Sequence, residues 1–105
     1  MPFLDKILTM NNLNLILNKP TPPQINMQIA NNLRSLRKRR KLSQINLSQQ
    51  AGVSLGSLKR FERTGEISLL SLTKLAMALN VEKAIQDLFA DIPPISIKEL
   101  INERD

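Results

Sequence analysis

The stretch Ser43-Gln-Ile-Asn-Leu-Ser-Gln-Gln-Ala-Gly52-Val-Ser-Leu-Gly-Ser-Leu-Lys-Arg-Phe-Glu-Arg-Thr-Gly65 reads as two short helices joined by a tight turn. Ser43 is placed to cap the first helix, because its hydroxyl can accept a free amide proton at a helix start. Ile45, Leu47 and Ala51 supply the small inward set of that helix. Gly52 falls where the chain must turn, and glycine enters left-handed backbone space without steric penalty. Ser54 can cap a second helix of about ten residues, in which Leu58 and Phe61 are three apart and face inward. Gly65 closes it.

This is the sequence form of a helix-turn-helix, whose second helix enters the DNA major groove. Leu47, Ala51, Val53, Leu58 and Phe61 take the inward positions. Leu55, Gly56, Ser57, Lys59, Arg60 and Arg63 then face outward. A face that mixes hydroxyl, cations and a leucine suits a groove better than it suits bare solvent. The alternative is an ordinary helical hairpin with a charged solvent face.

Charge favours the first reading. The chain has 15 Lys+Arg against 9 Asp+Glu in 105 residues, and the excess is uneven. Positions 34, 37, 38, 39, 40, 41, 59, 60 and 63 are basic, and Glu62 is the one acid from Arg34 to Arg63. A basic centre between mildly acidic ends points to a polyanionic partner, with a solvated basic helix face as the alternative. There is no cysteine and no histidine. Disulfides are excluded, as are ordinary zinc sites and catalytic dyads built on imidazole or thiolate. With the acids scattered as well, the chain reads as non-enzymatic, without metal or cofactor. Tyr and Trp are absent, so base stacking on single strands has little to work with. No apolar run approaches the ~20 residues of a membrane span, and the N-terminus makes a poor signal peptide. A cytoplasmic, nucleoid-associated protein is expected.

In chain order, residues 1–23 read as an N-terminal arm and proline-rich linker. Phe3, Leu4, Ile7 and Leu8 have helical spacing, whereas Leu13, Leu15 and Leu17 alternate like a short strand. The arm either packs on the domain or a partner, or is disordered. Three prolines among residues 20–23 favour extended backbone. The main domain is expected over residues 24–90. Its first helix starts near Gln24, with Ile25, Ile29, Leu33 and Leu36 as one apolar stripe. Arg37-Lys38-Arg39-Arg40-Lys41 ends that helix. Cations there complement the helix dipole, and the surplus suits phosphate contact. Leu72, Leu75, Ala76 and Leu79 form a helix face covering the motif, ended by a left-handed cap at Asn80. A fifth helix is expected from Val81 to Phe89, with Ile85, Leu88 and Phe89 inward. Residues 91–105 read as a C-terminal tail, broken at Pro93-Pro94, in which Ser96 is placed to cap a short helix over residues 97–102 with Ile97, Leu100 and Ile101 apolar.

Five helices with the turn between the second and third resemble the lambda-repressor-like XRE family. The matching residues are Leu36-Arg37, Leu42-Ser43-Gln44, Val53-Ser54 and Phe61-Glu62-Arg63, within a stretch of roughly Ile29 to Phe89. The resemblance implies an all-α, five-helix fold with short extensions. It implies that Gln44 touches a phosphate, and that Ser54, Leu55, Ser57, Lys59, Arg60 and Arg63 meet bases or nearby phosphates, with Lys38 and Arg39 among the backbone contacts. Arg37 and Glu62 are implied as an ion pair between helix 1 and the recognition helix. Ser48 departs from the alanine usual there, and Lys41 from the Gly or Asn that often ends helix 1. Leu55-Gly56 is less polar than many recognition helices, which suits contact with a thymine methyl.

A narrower resemblance joins the run Ser57 to Ser68, continued by Leu75-Ala76-Met77-Ala78-Leu79, to HipB-type repressors encoded beside HipA-like kinase toxins. It implies a homodimeric antitoxin that represses its own toxin–antitoxin operon through a pseudo-palindromic operator and binds the kinase, with or without an accessory subunit. Two alternatives stand beside it: a stand-alone, Cro-like phage regulator, and an antitoxin scaffold whose main work is protein–protein binding.

Overall fold

In the computed structural model, residues 19–93 and residue 101 are described. The arm expected over residues 1–17 and, Ile101 apart, the helix expected over residues 97–102 lie outside them. Among the described residues there are five helices and no strand: α1 Pro22–Arg39, α2 Gln44–Ala51, α3 Leu55–Thr64, α4 Leu69–Ala78 and α5 Glu82–Gln86. This is the all-α class read from the sequence.

α1 begins two residues before the expected Gln24. Thr21 and Gln24 form a capping box, in which the Thr21 hydroxyl accepts from the Gln24 amide and the Gln24 side chain accepts from the Thr21 amide. Pro22 and Pro23 therefore belong to the helix, at the positions where a missing N–H costs nothing. The stretch that looked like a linker is in part a helix start.

The buried face of α1 also differs from the apolar stripe. Ala30, Leu33 and Arg37 are buried, whereas Ile25 and Ile29 are 43% and 41% exposed and Leu36 is half-buried. At 3.6 residues per turn, the buried face is rotated by roughly a quarter turn from the stripe. α1 packs mainly on α3, and that contact selects small Ala30 and the paired Arg37 in place of the two isoleucines.

Ser43, Ser54 and Ser68 each cap a helix by accepting a hydrogen bond from the amide three residues on. The ends of α1, α2 and α4 share one pattern. A left-handed residue (Lys41, Gly52, Asn80) is followed by an amide that donates back to the helix: Leu42 to Arg37, Val53 to Ser48 and Val81 to Ala76. These bonds satisfy carbonyls that a helix end leaves open. Gly65 ends α3 at φ 81°, and a Cβ there would lie 2.9 Å from the backbone of Asn26 and Met27 in α1. Only glycine fits that contact.

The core consists of Ala30, Leu33, Leu47, Val53, Leu58, Phe61, Leu75 and Leu79. α2 packs on both α3 and α4, and α5 packs on α4. Two further core expectations fail. Ile45 is 53% exposed, and Ser48 takes the inward place, its hydroxyl donating to the Ile45 carbonyl at 2.8 Å. Ile45 and Leu47 are two residues apart, about 200° round a helix, so they cannot share a face. The fifth helix stops at Gln86 instead of Phe89. Phe89 has φ 64° and is 77% exposed, and Leu88 is exposed too, leaving Ile85 as the half-buried member of the expected set.

Candidate nucleic-acid interface

α3 turns Leu58, Phe61 and Glu62 inward and leaves Gly56, Ser57, Lys59, Arg60 and Arg63 exposed, with Leu55 half-exposed. Its orientation is set by Glu62, which is 8% exposed. Arg37 of α1 grips this carboxylate with both prongs: Nε donates to Oε2 at 2.8 Å and Nη2 to Oε1 at 2.9 Å. Arg37 Nη1 also donates to the Leu42 carbonyl at 2.7 Å, in the loop before α2. Gln44 Nε2 donates to Glu62 Oε1 at 3.1 Å, and Arg34 Nε stands 3.8 Å from the same oxygen. One buried carboxylate thus joins α1, the start of α2 and α3. The pairing is bidentate and the remaining polar atoms are satisfied, which a buried ion pair requires if it is not to destabilise the fold.

Polar clefts lie on both sides of α3. Arg34, Gln44, Lys59, Glu62 and Arg63 line one. Ser57, Arg60, Glu66, Ile67, Ser68 and Ser71 line the other, toward the start of α4. In the second cleft the exposed Arg60 guanidinium pairs with Glu66, Nε to Oε2 at 3.1 Å.

The site residues expected from the sequence fall into three groups. Leu55, Ser57, Lys59, Arg60 and Arg63 come together on the outer face of α3. Ser54 and Gln44 border it but carry internal bonds. The Ser54 hydroxyl accepts from the Ser57 amide and donates to Ser57 Oγ at 2.7 Å, which occupies it as a cap and leaves the Ser57 proton available. Gln44 gives one of its amide hydrogens to Glu62, so the other remains for a phosphate. Arg39 is not brought to α3. It lines an apolar groove with Ile29, Leu36, Leu72, Val81 and Ile85 on the α4–α5 side of α1. Lys38 is exposed near the C-terminus of α1.

Arg34, Ser68 and Ser71 line the clefts and were not singled out from the sequence. Arg34 could have been found by its spacing, one turn before Arg37 on α1. Ser68 could have been found as the cap that follows Gly65. Among the described residues no group of His, Cys, Asp and Glu is placed to hold a metal ion, and no helix is long and apolar enough to cross a membrane.

The helix-turn-helix family model matches residues 33–86, just over half of the 105-residue chain. The match runs from the middle of α1 to the end of α5 and contains the whole α2–turn–α3 unit. The chain belongs to the helix-turn-helix family, in its XRE branch, and carries that family's DNA-binding domain. No curated protein and no solved structure matches it.

Proposed function

We propose that this chain is a sequence-specific repressor of double-stranded DNA that acts as a homodimer on a pseudo-palindromic operator. The observation that carries this reading is the outer face of α3, where Lys59, Arg60 and Arg63 stand exposed between two polar clefts. With α3 in the major groove, Leu55, Ser57, Lys59 and Arg60 face the bases. Gln44, Arg34 and Arg63 reach the phosphates of one strand, and Ser68 and Ser71 those of the other. Lys38 adds long-range attraction from the end of α1. Phosphate contacts supply most of the affinity and the α3 face supplies the choice of sequence.

The test is selection of duplexes from a random pool by the full chain, followed by titration at several salt concentrations. A consensus with two half-sites about one helical turn apart is expected, with affinity falling steeply as salt rises. Equal retention of all sequences would sink the repressor reading.

A finer reading rests on the HipB-like run from Ser57 to Ser68. In it, the protein acts in the cytoplasm on the nucleoid, represses its own toxin–antitoxin operon and binds a HipA-like kinase complex. Affinity capture from its own cells, with and without nuclease treatment, decides this. Retention of a kinase supports the antitoxin, and its absence beside recovered operator DNA leaves a stand-alone regulator.

A further inference from the structure

Gly56 sits in the first turn of α3, and nothing inside the fold asks for glycine there. It lies within a regular helix, outside the positive-φ region that Gly52 and Gly65 occupy. A Cβ built on it meets no heavy atom within 4 Å. Glycine is also a poorer helix former than alanine. By conformation, packing and propensity alike, alanine would serve the folded chain at least as well.

Its place on the helix supplies a reason. Lys59, Arg60 and Arg63 follow Gly56 at three, four and seven residues, the spacing of one helical face. Gly56 therefore begins the cationic stripe of α3, opposite buried Leu58, Phe61 and Glu62. It also lies in the first turn, the part of a recognition helix that contacts base edges. A gap at the leading end of a contact face is space for the partner. Glycine has no side-chain donor or acceptor, so the group it admits needs room and no hydrogen bond. On a major-groove edge, that group is the 5-methyl of thymine.

We propose that Gly56 is the point of closest approach between α3 and DNA, and that it determines specificity by admitting a thymine methyl against the helix backbone. This rests on the DNA-binding reading above and adds a position at which sequence is chosen by steric room.

The experiment uses a duplex selected by the wild-type full chain. Affinities of wild type and Gly56→Ala are measured for that duplex, for versions with single thymines replaced by deoxyuridine, and for a random duplex, alongside thermal unfolding. Gly56→Ala is expected to unfold at the same or a higher temperature. It is expected to lose about tenfold or more on the selected duplex and less than about twofold on the random one. One deoxyuridine replacement per half-site should weaken wild type and leave Gly56→Ala indifferent. Unchanged binding of the selected duplex by Gly56→Ala, an equal loss on both duplexes, or indifference of wild type to every thymine methyl would each overturn the inference while leaving DNA binding intact. If wild type selects no sequence, both this inference and the repressor reading fall.

Discussion

Arg37 and Glu62, 25 residues apart in sequence, form a two-pronged buried ion pair that joins α1 to α3. Both side chains are at least nine-tenths buried, at 8% and 5% exposure. Removing one partner leaves an uncompensated charge in the interior, a cost of about 3–5 kcal/mol. Glu62→Ala should therefore lower unfolding stability by that order in denaturant titration. Arg37→Met combined with Glu62→Leu should be far less destabilised than the sum of the two single changes. Additive losses in this cycle would mean that the pair contributes no coupling to the fold.

The two left-handed glycines should respond differently to alanine. Gly52 has open space around its Cβ position, so Gly52→Ala should cost only the backbone penalty, about 1 kcal/mol. At Gly65 the new methyl meets the backbone of α1 as well, and Gly65→Ala should cost about 2–4 kcal/mol. Equal shifts in the denaturation midpoints would show that α1 yields to the added atom.

Lys59 and Arg63 lie in the same cleft but should fail in different ways. Lys59→Ala is expected to relax preference at one operator position, by about 1–3 kcal/mol of discrimination. Arg34→Ala and Arg63→Ala should weaken every sequence alike and each reduce the salt slope by about one. A uniform loss for Lys59→Ala, measured across operator variants, would remove it from base reading.

The exposed Arg60–Glu66 pair holds a cation that the proposed interface needs. Glu66→Gln frees it and removes a nearby negative charge. DNA affinity should rise by about two- to fivefold, in keeping with the small worth of an exposed pair. In the Arg60→Ala background the gain should shrink. A gain of undiminished size there would assign the effect to general repulsion between Glu66 and phosphate.

The α2–turn–α3 unit was legible in the sequence because its signals are local. Ser43, Ser54, Gly52 and Gly65 each act on backbone within a few residues, so identity and spacing suffice. The buried face of α1 was not legible, since it depends on a partner far along the chain. Arg37 goes inward because Glu62 waits there, and Ala30 is buried because α3 needs a close approach. A search for apolar periodicity finds Ile25 and Ile29 instead. The end of α5 was not legible either, because apolar spacing continues to Phe89 while the helix stops at Gln86 and Phe89 itself turns left-handed. In the candidate interface, the outer residues of α3 followed from the helix pattern. The divergence of Arg39 from Arg34 required knowledge of which side of α1 faces α3.

The contact of Gly65 with the backbone of Asn26 and Met27 has a bearing on recognition. It fixes the far end of α3 against α1, and Glu62, in the last turn of the same helix, is held there through Arg37 and Gln44. With Leu58 fully buried in its first half as well, the helix has little freedom to tilt, so on the proposed reading it arrives at DNA already shaped for the groove. The ordering entropy of binding then falls on a few long side chains, Lys59 and Arg63 foremost. Any mismatch of curvature must be absorbed by the duplex, which makes its flexibility part of what the protein selects.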